Sequence, residues 1–142
     1  MRSRPKVTRI LLEPETVKDF SLYGIVSTEP DYRLSLSINR AFKVSLKNDS
    51  PVITKKNNTF SRFSFRRSGN DTSWNLISNK SGDEFLLGKY RKIDYFLQIS
   101  PATDPSDPNK ISQALRMIDS VTAVFLLDPD EVIDKNFHYL IP

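Results

Sequence analysis

Apolar positions are spread along this chain in short runs. Val7 to Leu12 is one, closed by Glu13-Pro14-Glu15. Phe20 to Ser27 is another, with Leu22, Gly24 and Val26 alternating against Tyr23, Ile25 and Ser27, and both predict strands buried on two sides. The period then changes. Thr28-Glu29-Pro30-Asp31 reads as a capping box with Thr28 as N-cap and Asp31 at N3, predicting a helix to about Leu46. At 100° per residue, Tyr32, Leu34, Leu36, Ile38, Ala41, Phe42 and Leu46 fall in one arc that should face the core, with Arg33, Ser37, Arg40 and Val44 opposite. Asn39 projects inside that arc, so its amide needs hydrogen-bond partners.

Residues 47–58, dense in turn formers and charges around Pro51, predict a connecting loop. Phe60 to Arg67, Ser73 to Ser78 and Phe85 to Leu87 are β-prone and separated by Gly- and Asn-containing turns, predicting an antiparallel meander. Ile93 to Ser100 continues it, with Ile93, Tyr95, Leu97 and Ile99 on one face and Asp94, Phe96 and Gln98 on the other.

After the proline-rich linker 101–108, Asp107-Pro108 should cap a second helix running to about Asp119. Its apolar stripe is Ile111, Ala114, Leu115 and Ile118, with Ser112, Arg116 and Asp119 outside. Val121 to Leu127 is nearly all apolar, as expected of the sheet's central strand. Asp128-Pro129-Asp130-Glu131 opens a short C-terminal helix with Val132, Ile133, Phe137 and Leu140 as contacts. The order predicts an α+β fold over residues 1–142 as one domain: a single, mainly antiparallel sheet with two longer helices and one short C-terminal helix packed on it.

Composition narrows the chemistry. The 142 residues include no Cys and one His, which excludes disulfides, thiol nucleophiles, Cys-ligated metals and a multi-histidine site within one chain. No nucleotide-binding glycine loop, hydrolase elbow or zinc-protease motif occurs, and the four glycines are scattered. No cofactor and no metal site is expected. Asp107 and Asp128 in the acidic C-terminal group serve as helix caps, and His138 lacks a Ser or carboxylate at a suggestive spacing. The basic start is followed by an apolar run too short for a secretory signal, and no window is long enough for a membrane span, so a cytoplasmic protein is expected.

The net charge of +4 divides unevenly. Residues 1–53 carry nine basic and six acidic side chains, residues 54–92 nine and three, and residues 93–142 three and eight. A basic middle therefore stands beside an acidic C-terminal third. Within the middle, Lys55, Lys56, Arg62, Phe63, Phe65, Arg66, Arg67 and Arg91 interleave rings and cations as single-stranded RNA- or DNA-binding surfaces do. The alternative buries Phe63 and Phe65 and leaves the arginines solvated.

The segments Phe20-Ser-Leu-Tyr-Gly-Ile-Val-Ser, Asp31-Tyr32-Arg33-Leu34, Ile38-Asn39 and Ile93-Asp94-Tyr95-Phe96-Leu97 together resemble the bacterial IPExxVDY family, with Ile93 in place of Val in its Val-Asp-Tyr signature. Leu87-Gly88-Lys89-Tyr90 stands where the family's Ile-Pro-Glu is expected. The resemblance implies a short cytoplasmic protein without an assigned activity. It marks Asp31, Tyr32, Arg33, Asn39, Asp94 and Tyr95 as ligand or partner candidates. Arg33, placed opposite the apolar arc, is expected to pair with Asp94 or to reach a ligand or partner. Three functional readings follow, in order: a non-catalytic module that binds another protein, a single-stranded RNA- or DNA-binding accessory protein using residues 55–92, and an enzyme built on an Asp/Tyr/Arg site.

Overall fold

The computed structural model describes residues 19–69, 71–102 and 109–142. The expected strand Val7 to Leu12, most of the 101–108 linker and the Asp107 cap lie outside them. The elements are β1 (Ser21–Ser27), α1 (Asp31–Phe42), β2 (Lys47–Ile53), β3 (Thr59–Arg67), β4 (Thr72–Ser78), β5 (Lys80–Ser81), β6 (Glu84–Phe85), β7 (Tyr95–Ser100), α2 (Lys110–Arg116) and β8 (Val121–Leu127), with 3-10 turns at Gly88–Tyr90 and Phe137–Leu140. Six strands form one antiparallel sheet in the order β2-β3-β4-β7-β1-β8, and β5 and β6 form a separate small ribbon. The α+β class and the single main sheet are as expected.

Both faces of the sheet are covered, which is why β1, β4 and β7 carry apolar residues at successive positions. On one face Tyr23, Ile25, Trp74, Leu76, Tyr95, Leu97 and Ile99 pack under Leu34 and Ile38 of α1 and Leu115 of α2. On the other, Leu22, Phe60, Ile77, Ile93 and Phe96 are covered by irregular chain carrying Leu86, Leu87, Phe137 and Leu140. Ile93 thus joins the cluster of Phe96 rather than that of Tyr95, because it precedes the regular strand and packs against the bare backbone of Gly24. A row of polar side chains crosses this second face. The Ser64 hydroxyl lies 2.7 Å from Asn75 Oδ1, Asn75 Nδ2 donates to Gln98 Oε1 at 2.8 Å, and Gln98 Nε2 donates to the Leu140 carbonyl at 2.6 Å. Gln98, 2% exposed, is thereby satisfied, and the C-terminal segment is fastened to the sheet.

Several expectations are corrected. Helix α1 starts at Asp31 with Pro30, not Thr28, at the N-cap position, and the Pro30 carbonyl accepts from the Arg33 and Leu34 amides. Asp31 does not reach back: its Oδ1 accepts from the Tyr32 amide. The helix ends at Phe42, where Lys43 turns left-handed at φ 56°, so Leu46 reaches the core from outside it. The buried stripe is consequently Leu34, Ser35 and Ile38, with Phe42 packed alongside, while Tyr32 and Leu36 are exposed. In α2, Ser112 lies inside with Leu115, and the helix stops at Arg116. The C-terminal helix is only the 3-10 turn Phe137–Leu140, because Asp128 and Asp134 spend their carboxylates on local turns.

The two largest corrections concern the edges. Residues 47–53, expected to be a loop, form edge strand β2, and Pro51 is tolerated because the pairing with β3 breaks register between Asp49 and Val52. Val121 to Leu127, expected at the centre, is the opposite edge, paired among the described residues with β1 alone.

Candidate functional site

Of the residues singled out by the resemblance, Asp31, Tyr32, Arg33, Asp94 and Tyr95 lie at one end of the sheet, where β1 turns into α1, and Asn39 does not. Asp94 Oδ2 accepts from the Ser27 amide at 2.9 Å, and its Oδ1 pairs with Lys80 Nζ at 2.6 Å. The Asp94 amide donates to the Ile25 carbonyl. The Tyr95 hydroxyl donates to the Glu29 carbonyl at 2.6 Å. Burial first, then the nearby carboxylates of Asp31, Asp94 and Glu29, push the Tyr95 phenol up to about 12. The two matched segments therefore hold each other: Asp94 and Tyr95 clamp the turn that launches Asp31, Tyr32 and Arg33.

The clamp does not assemble an acid–base centre. Arg33 is paired with Glu29 at 3.9 Å on the surface rather than with Asp94, whose partner is Lys80. Such a surface pair contributes about 1 kcal/mol or less. Tyr32 points to solvent, and Asn39 sits more than a helical turn away, where its amide closes a two-bond ring with the Leu46 backbone at 2.8 and 3.2 Å. That ring meets the need for partners that its position imposed.

The basic aromatic stretch is also divided. Phe63 is in the core under α1, and Phe65 packs against that core with Arg67 over its ring at 5.5 Å. Arg62 is held at the β2 edge, donating to the Ser50 carbonyl at 2.9 Å and pairing with Asp49 at 3.6 Å. The Ser50 amide, the Ser64 hydroxyl and Arg62 together hold the Asp49 carboxyl below its ordinary range. Arg66 and Arg67 leave the far end of β3, roughly 25 Å along the strand from the hairpin that carries Lys55 and Lys56. No continuous strand face bearing all eight residues exists.

Lys55, Lys56 and Arg91 do come together. They line a cleft of about 740 Å³ on the irregular face, between the β2–β3 hairpin, the β6 region and residues 134–139. Its walls are tied at several points. The Lys55 amide donates to the Tyr139 hydroxyl at 3.2 Å, Asn136 Nδ2 donates to the Leu86 carbonyl at 2.8 Å, and Asn58 Nδ2 donates to Glu84 at 3.4 Å. Behind it stands Asn79, fully buried, whose side chain bonds the Tyr90 and Ile93 carbonyls and the Leu87 amide while its backbone bonds Asp94 and Leu86. Sequence patterning did not mark Asn79, since a lone Asn beside Lys-Ser-Gly reads as a turn former.

The edges of the sheet differ in kind. β2 carries Lys47, Asp49, Pro51 and a register break, the features that protect an edge from pairing. β8 also has a register break, at Thr122 opposite Val26 and Ser27, but Val-Thr-Ala-Val-Phe-Leu-Leu has no charge and no proline, and Phe125 and Leu126 are 47% and 44% exposed. Facing Gly24 and Tyr23 respectively, they lie on opposite sides of the sheet. Arg116 of α2 donates to the Val124 carbonyl at 3.2 Å. Asp119 precedes the strand and Asp128, Asp130 and Glu131 follow it.

Comparison with family models, curated proteins and solved structures finds no match to this chain. Among the described residues no helix is long and apolar enough to cross a membrane, and no three metal-ligating side chains gather.

Proposed function

We propose that this protein is a binding module that takes up an extended segment of a partner protein by strand addition along β8. The observation that carries this reading is the contrast between the two sheet edges, one guarded by charge and proline, the other uncharged with Phe125 and Leu126 displayed on both sides. Backbone groups of an edge strand supply affinity to an incoming strand, and side-chain sites on alternating faces supply selectivity. The carboxylates of Asp119, Asp128 and Glu131 at the strand's two ends suit a partner segment with an apolar centre and basic flanks. The reading is one of binding rather than catalysis because the Asp/Tyr/Arg set is spent on the β1–α1 clamp and on surface pairing. Membership of the IPExxVDY family belongs to the same proposal. The resemblance rests on residues 20–27, 31–34, 38–39 and 93–97, and its support is that Asp94 and Tyr95 of the last bond to the turn joining the first two.

The test is affinity capture from the native cells with three forms of the whole chain: wild type, Phe125→Lys and Met117→Lys, the last altering a residue 81% exposed outside β8. A partner retained by wild type and Met117→Lys but lost by Phe125→Lys, with unchanged circular dichroism, is the expected result. Equal retention by all three overturns the proposal. So does a homodimer that Phe125→Lys dissolves, since β8 would then serve a second copy.

A further inference from the structure

The cleft on the irregular face carries a charge pattern that the fold does not use. Five cations line it: Lys55 and Lys56 from the β2–β3 hairpin, Lys89 and Arg91 from the chain after β6, and Lys135 from the C-terminal segment. Three stretches far apart in sequence are needed to collect them. Among the described residues none of the five forms an ion pair, the pairs being Arg33 with Glu29, Arg62 with Asp49 and Lys80 with Asp94. The lining also holds three carboxylates, which keep their charge: Glu84 accepts from the Asn58 side-chain amide, Asp134 accepts from the Lys89 and Asn136 amides, and Asp83 is the third. Arg91 is laid over the Phe85 ring at 5.2 Å, which orients its guanidinium without neutralising it.

The five cations exceed the three carboxylates of the lining by two, so the cleft keeps a positive excess that favours an anion. The walls are tied by the Tyr139, Asn136 and Asn58 hydrogen bonds, so the arrangement exists before a ligand arrives. The volume of about 740 Å³ is that of a small-molecule site. We infer that this cleft binds a small, multiply charged phosphorylated ligand, with Lys56 and Arg91 among the groups that contact its phosphates. The site is separate from β8, four strands away across the sheet or about 19 Å, and does not depend on the strand-addition reading.

Isothermal titration of the whole chain at low salt tests it with three probes: inorganic tripolyphosphate, ATP and a single-stranded oligonucleotide. Tripolyphosphate and ATP should bind, more weakly as salt rises. Lys56→Ala and Arg91→Ala should each weaken binding about tenfold. Arg66→Ala, at the other end of β3, should change nothing. Absence of tripolyphosphate binding overturns the inference, as does equal weakening by Arg66→Ala, which marks diffuse charge attraction. Oligonucleotide binding that tripolyphosphate does not displace overturns it too, in favour of nucleic acid. Lys56 lies in an exposed turn, so its variant is expected to fold and to report on the site alone.

Discussion

The hydroxyl of Tyr95 donates to the backbone carbonyl of Glu29 across 66 positions of sequence, at 2.6 Å, from a residue that is 8% exposed. One phenol thus joins the sheet's central strand β7 to the turn that begins α1. Beside it Asp94 bonds the Ser27 amide, so the turn is held at two points. Tyr95→Phe keeps the ring in the core and removes only the donor. Its expected cost is about 1–2 kcal/mol in urea unfolding at neutral pH.

Burial and the nearby carboxylates also give this phenol a pH signature. The phenol's folded value, about 12, lies above its ordinary 10.0, so the native state holds this proton after the unfolded chain has lost it. The contribution is complete below pH 10 and is lost as pH climbs through the folded value near 12. Wild type should therefore lose more stability than Tyr95→Phe between those limits, as read from paired denaturation curves. Parallel curves for the two proteins would refute this.

Asn79 is expected to be the most sensitive polar position. Asn79→Ala leaves the Leu87 amide and the Tyr90 and Ile93 carbonyls without their partner in a fully buried place, at a cost of about 3 kcal/mol or more. Asn79→Asp should be no better, because a carboxylate cannot donate to the two carbonyls. Chemical denaturation compares them, and a loss under about 1 kcal/mol for Asn79→Ala would show that the loop is held by its apolar contacts instead.

Ser112 makes the opposite case. It is 0% exposed, and its hydroxyl has no hydrogen-bond partner among the described residues. Ser112→Ala removes a desolvated hydroxyl and leaves packing nearly unchanged, so stability should hold or rise by up to about 1 kcal/mol. A clear loss in the thermal midpoint would mean that the hydroxyl has a partner after all.

Gly24 lies where Ile93 crosses β1. A Cβ there would collide with the Ile93 side-chain tip and come within 3.1 Å of its Cγ1. Gly24→Ala should cost about 1–3 kcal/mol, and Ile93→Val in the same chain should recover part of it. Additive losses in the double variant would argue against this contact as the cause.

How much was legible in advance can be seen element by element. Alternation marks β1 and β7, and β-prone composition between turn residues marks β3 and β4. The continuous apolar run Val121 to Leu127 is misplaced at the centre, since such a run records that a strand is shielded or sticky but not how many neighbours it has. Pro51 argued against β2, yet a register break next to it lets an edge strand absorb a missing donor. At the candidate sites, Asn39's need for partners is readable from its place in the arc, whereas Arg33, in the first turn of α1, pairs locally with Glu29 just ahead of the helix.

By itself, then, the order of residues determined the α+β class, most strand segments and the absence of thiol and multi-histidine chemistry within one chain, because these depend on local periodicity and residue type. Tertiary structure alone decided that β8 is an edge strand, that Asn79 anchors the loop layer, and that Lys55, Lys56, Lys89, Arg91 and Lys135 share one cleft. Each of those outcomes depends on which distant stretches are brought side by side, and strand order and loop closure carry no periodic signal along the chain.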